Sequence, residues 1–272
     1  MNRFARRLVV PLALAAFLSS CGGSGGSGGS PTSHPTTLTV LAASSLTRVF
    51  PQIGVAFSQE HSGVSFKFSF AGTDTLAAQI QQGAPADVFA GASTTYSDQL
   101  SSAGLIDSAQ PFCTNQLVLV VPPSNPAHIA SLKDLTKPGI KLVVASSTVP
   151  VGAYTLKVLD NLNATYGADY SKKVQANIVS QETDVESVLT KVKLGEADAG
   201  FVYITDAKAS PGEVKPITLP AYAQATATYP IAVVKATKSS STAQQFVDFV
   251  LGPQAQALLR NAGFGPPPTT SS

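Results

Sequence analysis

Runs of strand-forming residues alternate with amphipathic helical segments along almost the whole chain beyond residue 37, and that alternation confines it to an α/β architecture. Leu38–Leu41 reads as a strand and Leu46–Glu60 as a helix with Val49, Ile53 and Phe57 on one face. Pro51 lies inside that helix, so it is kinked there or starts late. Val64–Phe70 is a strand, Thr75–Gln82 a helix, Ala86–Ala90 a buried strand, and Thr94–Ala103 a helix stopped at Gly104. A long apolar strand follows at Asn115–Val121. A second block repeats the pattern: Ser131–Leu135 as a short helix, Lys141–Ala145 as a strand and Gly152–Leu162 as a helix. Next come a helix with Val185, Val188, Leu189 and Val192 on one face, capped by Thr183 or Asp184, and a strand at Ala199–Tyr203. Tyr229–Val234 is another buried strand, and Ala243–Leu251 and Gln254–Arg260 close as helices.

Repeated units of this kind predict mostly parallel sheets covered by helices, arranged as two lobes whose strand C-termini face a shared cleft. The expected first lobe comprises residues 38–116 and 228–266, and the second residues 117–227. The strands Leu117–Val121 and Tyr229–Val234 are the candidates for the crossings between them, and 267–272 is a tail.

The first 37 residues carry signals of another kind. Arg3, Arg6 and Arg7 precede an apolar stretch, Leu8 to Phe17, of signal-peptide length and too short to span a bilayer. Leu18-Ser19-Ser20-Cys21 resembles a lipobox, which predicts a signal peptide over 1–20 and a lipidated Cys21 as the first mature residue. Residues 21–37 then form a flexible Gly/Ser/Pro/Thr tether to the cell membrane. Removing the leader takes three arginines and no acid from a balance of 18 basic and 16 acidic residues, and the near-neutral remainder has no basic block for nucleic acid. With Cys21 lipidated, Cys113 has no disulfide partner, and one cysteine with His34, His61 and His128 does not make a structural zinc site. Cys113 reads as a small core residue.

Catalytic signatures are weak. The literal G-x-S-x-G at Gly22–Gly26 lies in the tether, without the strand and helix that a nucleophile elbow needs. Ser44 and Ser45 have no nearby general base, and the chain contains neither a P-loop nor H-E-x-x-H. Binding signatures are stronger. Ser45 and Thr73 sit where a strand runs into a helix, a position that suits a helix cap and equally an anion, because the first N–H groups of a helix are unpaired and its dipole favours negative charge. The loop Pro150–Tyr154 and Tyr203 fall at the same ends of their strands.

These loops carry a resemblance. Ala42-Ala43-Ser44-Ser45-Leu46, Phe70-Ala-Gly-Thr-Asp-Thr-Leu76, Gly83-Ala-Pro-Ala-Asp-Val-Phe89, Val149-Pro-Val-Gly-Ala-Tyr154, Glu196-Ala-Asp-Ala-Gly-Phe-Val-Tyr203-Ile-Thr-Asp-Ala207 and Tyr229-Pro-Ile-Ala-Val233 resemble the molybdate-binding proteins of bacterial ABC importers, over about Leu38 to Phe264. The resemblance implies a two-lobed periplasmic-binding-protein fold of type II, closing on molybdate or tungstate through neutral donors. It implies hydroxyl donors at Ser45, Thr73 and Tyr203 and backbone donors at Val151 and Val185, with no direct metal ligand. It further implies no catalysis, no cofactor, a monomer, an extracytoplasmic location and delivery to an ABC permease. Two positions depart from the family's usual pattern. Asp74 puts a carboxylate beside Thr73 and is expected to face away from the ligand, and Val151 stands where a smaller residue is usual. Receptors for sulfate, phosphate or a small organic anion, and a secreted hydrolase using Ser44 or Ser45, remain the alternatives.

Overall fold

The structure, a computed structural model, describes residues 35–269. The signal peptide, Cys21 and the tether as far as residue 34 lie outside the described residues, as do residues 270–272 of the tail.

The chain opens with β1 (Thr36–Ala43), whose last residues are all buried, and passes through a 3-10 turn at Ser44–Leu46 into α1 (Phe50–Glu60). Of the two outcomes Pro51 allowed, the late start is realised: Pro51 occupies the first turn, where its missing N–H costs nothing. There follow β2 (Val64–Ala71), α2 (Thr73–Gln81), β3 (Val88–Ala90), α3 (Thr94–Ser102) and β4 (Gln110–Asn115). The Ser93 side chain caps α3 by accepting from the Thr95 N–H at 3.3 Å.

The next stretch builds a separate sheet. It contains β5 (Leu117–Val121), β6 (Leu142–Ala145), α4 (Pro150–Tyr166), α5 (Tyr170–Gln175), β7 (Ile178–Glu182), α6 (Val185–Lys193), β8 (Ala199–Tyr203), α7 (Ile204–Lys208) and β9 (Lys215–Thr218). The chain then returns through β10 (Ala227–Val233) to α8 (Ser240–Leu251) and α9 (Pro253–Ala262).

Two five-stranded sheets result, ordered β2-β1-β3-β10-β4 and β7-β6-β8-β5-β9. The expectation of mostly parallel sheets needs correction. β1 runs parallel to β2 and β3, but β10 is antiparallel to both β3 and β4. Likewise β6 is parallel to β7 and β8, whereas β5 is antiparallel to β8 and β9. The cause is connectivity. β5 and β10 enter their sheets directly from the opposite lobe rather than through a crossover helix, so nothing obliges them to run with their neighbours.

The crossings also differ from expectation. Leu117–Val121 and the β10 strand each lie wholly within one sheet, and the apolar run read as one strand over 115–121 is two strands separated by Gln116. β4, β7 and β9 carry exposed or half-exposed residues in place of a continuous apolar run, so their sequences lack a strong strand signature.

An aromatic cluster anchors the first lobe. The ring of Phe57 packs edge-on against Phe246 at 5.4 Å, and Phe50 lies 5.8 Å from Phe112, tying α1, α8 and β4 together. Cys113 is fully buried beside this cluster, and burial pushes its thiol well above the usual range. In the second lobe, a side chain at Gly200 would come within 2.8 Å of Val188, so its absence lets α6 lie close on β8. Among the described residues no helix is long and apolar enough to cross a membrane.

Candidate functional site

Several helices start at one place. The 3-10 turn after β1, α2 after β2, α4 after β6 and α6 after β7 all begin at the C-terminal ends of their strands, so their unpaired N–H groups gather where the two sheets face each other. Between them lies a small cavity of about 10 Å³, lined by residues that include Ser45, Thr73, Val151, Val185 and Tyr203. The five residues singled out from sequence therefore meet in one space, drawn from both sheets. The cavity has room for about one water-sized group, far below the roughly 300 Å³ at which metabolite pockets begin.

The donors differ in origin. Val151 and Val185 lie in the first turns of α4 and α6, where N–H groups have no partner four residues back. The Asp184 side chain caps α6 by accepting from the Ser187 N–H at 3.0 Å, which leaves the Val185 N–H outside the cap. Thr73 opens α2, and its Oγ1 accepts from the Ala92 N–H at 3.0 Å. The Ser45 Oγ lies 2.8 Å from the Tyr229 Oη.

Tyr203 ends β8 with 2 % of its surface exposed, and its hydroxyl is buried without a hydrogen-bond partner. A buried hydroxyl left unpaired costs about 1–3 kcal/mol, so a ligand that accepts from it recovers that cost. Burial, and then the neighbouring Tyr229 phenol, push the Tyr203 hydroxyl well above the ordinary phenol value. It remains a protonated donor throughout the physiological range.

None of the lining residues carries a charge. Asp74 is not among them: its Oδ2 accepts from the Thr148 hydroxyl at 3.1 Å, while Oδ1 is buried without a partner. Asp206, one turn beyond Tyr203, accepts from the Tyr203 N–H at 3.0 Å and is buried. Burial and then Glu186 push its carboxyl well above the usual range, against the downward pull of that N–H and of Arg48.

The α4 entry depends on Gly152. A Cβ there would sit 2.0 Å from the Ser146 carbonyl oxygen and 2.4 Å from that of Ala145, so only glycine lets the turn close this tightly.

For hydrolysis, Ser45 would need a base. Its hydroxyl partner is a phenol, His61 is stacked on Phe57 at 4.0 Å, and His128 lies in a loop with φ 51°. Among the described residues no three His, Cys, Asp or Glu side chains gather to hold a metal ion.

Sequence reasoning missed Asn115, the ion-pairing role of Arg48 and Glu186, and the role of Tyr229. From sequence, Tyr229 reads only as part of a buried strand. Its contact with Ser45 joins positions 184 residues apart, and no local pattern signals that.

Two α/β lobes, joined by direct crossings and meeting around a small donor-lined cavity, define a two-lobed binding-protein fold. The chain belongs to the bacterial extracellular solute-binding protein family, whose model matches residues 38–265. It is 38% identical over 263 residues to the molybdate-binding protein ModA of Mycobacterium tuberculosis, covering 95% of this chain and 97% of that one. It is 30% identical over 268 residues to the putative ABC transporter substrate-binding lipoprotein YvgL of Bacillus subtilis, covering 96% and 98% respectively. Among solved structures, the substrate-binding domain of a putative molybdenum ABC transporter from Clostridium difficile matches with a TM-score of 0.63 and 29% identity, covering 85% of this chain and 98% of that one.

Proposed function

We propose that the chain is the extracytoplasmic receptor of an ABC importer and captures molybdate or tungstate through neutral hydrogen-bond donors. The observation that carries this reading is the buried, partnerless Tyr203 hydroxyl at a small uncharged cavity ringed by helix N-termini. Ser45, Thr73 and Tyr203 donate through hydroxyls, and Val151 and Val185 through backbone N–H groups. The relationship to ModA supports the choice of anion, and the relationship to YvgL supports a lipid anchor at Cys21.

A dianion leaving water must have its hydration shell replaced, or desolvation prevails. Short charge-assisted hydrogen bonds from these five donors, each worth roughly 1.5–3 kcal/mol, contribute to that replacement. Discrimination against sulfate is then by size, since a smaller anion leaves donors of one lobe unpaired at about 1–3 kcal/mol each.

In this reading residues 38–116 and 228–266 form one lobe and 117–227 the other, and closure of the two around the anion presents the surface that the permease recognises. The receptor is monomeric, needs no cofactor and catalyses nothing. Residues 1–20 are removed on export and residues 21–35 tether the lobes to the membrane, since Thr36 and Thr37, read from sequence as the end of the tether, already belong to β1.

A thermal-shift and calorimetry panel across molybdate, tungstate, sulfate and phosphate tests the proposal. Molybdate at a hundred times its Kd should stabilise the protein by about 2.7 kcal/mol. Tyr203→Phe and Ser45→Ala should each weaken binding severalfold or more without unfolding it. Tight binding of sulfate with none of molybdate would overturn the reading. Labelling of Ser44 or Ser45 by a fluorophosphonate probe would overturn the absence of catalysis.

A further inference from the structure

Resting on that reading, we infer that Asn115 and Tyr229 are positioning residues that turn the Ser45 hydroxyl proton into the cavity. The direction is set at the far end of the chain of contacts. The Gln116 backbone N–H can only donate, and it donates to Asn115 Oδ1 at 3.0 Å. The amide nitrogen of Asn115 must therefore face the other way, donating to Thr205 Oγ1 at 2.9 Å and to Tyr229 Oη at 3.5 Å.

With its oxygen accepting from Asn115, the Tyr229 phenol has its own proton left for Ser45, 2.8 Å away. A phenol is also a stronger acid than an alcohol, which favours the same direction. Ser45 Oγ thus accepts, and its remaining proton has the cavity in front of it. All of this happens out of water: Asn115, Tyr229 and Ser45 are buried, so no solvent molecule competes for the orientation.

Thr73 is treated in the same way by a shorter route. The Ala92 N–H occupies its oxygen, leaving its proton free. Both hydroxyls accept on their oxygen from a neighbouring donor, which leaves their protons for the ligand. Without an upstream donor, Ser45 would be free to rotate and would have to be reoriented when an anion binds.

The test is a double-mutant cycle read by molybdate calorimetry on the mature protein, comparing wild type, Ser45→Ala, Tyr229→Phe and the double variant. Phe keeps the ring that packs on Phe112 and Phe264. Tyr229→Phe should weaken binding about tenfold when Ser45 is present. In the Ser45→Ala background it should change nothing further. Equal losses in both backgrounds, or no loss in either, would overturn the relay. If Tyr229→Phe did not fold, Asn115→Ala in the same cycle is read against the same outcomes. Absence of molybdate binding by the wild-type protein would instead defeat the receptor reading itself, so the two failures are separable.

Discussion

Arg48, between the first 3-10 turn and α1, reaches across to Glu186 in the first turn of α6, pairing Nη1 with Oε1 at 2.6 Å and Nη2 with Oε2 at 3.2 Å. The two residues belong to different lobes, so this fork is made only when the lobes are together. Both side chains are partly exposed, at 39% and 27%, and such a pair is worth about 0.2–1 kcal/mol.

Arg48→Ala should therefore shift the lobes toward the open arrangement and weaken molybdate binding by about two- to fivefold. The loss should shrink as salt is raised. Calorimetry at low and high ionic strength checks this, and an affinity unaffected at low salt would remove the latch.

Gly152→Ala should be far more damaging. The added carbon would overlap the Ser146 carbonyl oxygen, so α4 must move away from the cavity. Overpacking of this kind costs about 1–3 kcal/mol in stability. Molybdate binding should fall by more than Tyr203→Phe causes, because a whole helix N-terminus shifts. Wild-type affinity in the alanine variant would show that the α4 N-terminus is not part of the site.

Asp206 makes stability depend on pH in a stated direction. Its carboxyl is raised in the folded protein, so the native state keeps a proton that the unfolded chain has released above about pH 4. Its contribution is complete in acid and declines as pH rises toward the raised value. Asp206→Asn cannot ionise, so the fall in Tm between pH 5 and pH 8 should be smaller in the variant than in the wild type. Parallel curves would remove Asp206 as the cause. Asp134 acts in the opposite sense: Lys137 holds it well below the usual carboxylate range, so its contribution is present above the unfolded value and lost as pH falls.

Asp74→Asn should tighten molybdate binding by about two- to fivefold, since it removes a like charge near the anion while keeping an oxygen for Thr148. Weaker binding by calorimetry would mean that the carboxylate serves the interlobe contact more than it repels the ligand.

Much of the arrangement was legible because it is local. Ser45 and Thr73 fall at strand-to-helix junctions, which announce themselves through hydroxyls, glycine and the change of hydrophobic period, whereas Val151 and Val185 have no polar side chain and are singled out only by the family resemblance. What escaped is long-range. Pairing of β10 with β3 joins Ile231 to Ala90, and no periodicity reports that partner or its antiparallel sense. The relay through Asn115 and Tyr229 escaped for the same reason, since buried polar residues inside strands look like ordinary strand residues until their partners are placed. β9 was missed because Lys215–Thr218 is an exposed edge strand holding a proline.

Because β10 is central, the first sheet is completed last as the chain emerges. The β10 segment emerges after the entire second lobe, yet it must slot between β3 and β4, which have waited since residues 88–115 appeared. The first sheet is thus held incomplete with two inner edges exposed, while residues 117–218 already contain every strand of the second. The second lobe can assemble as soon as its segment has emerged, and the arrival of β10 is the event that completes the first and lets the two halves of the cavity face each other.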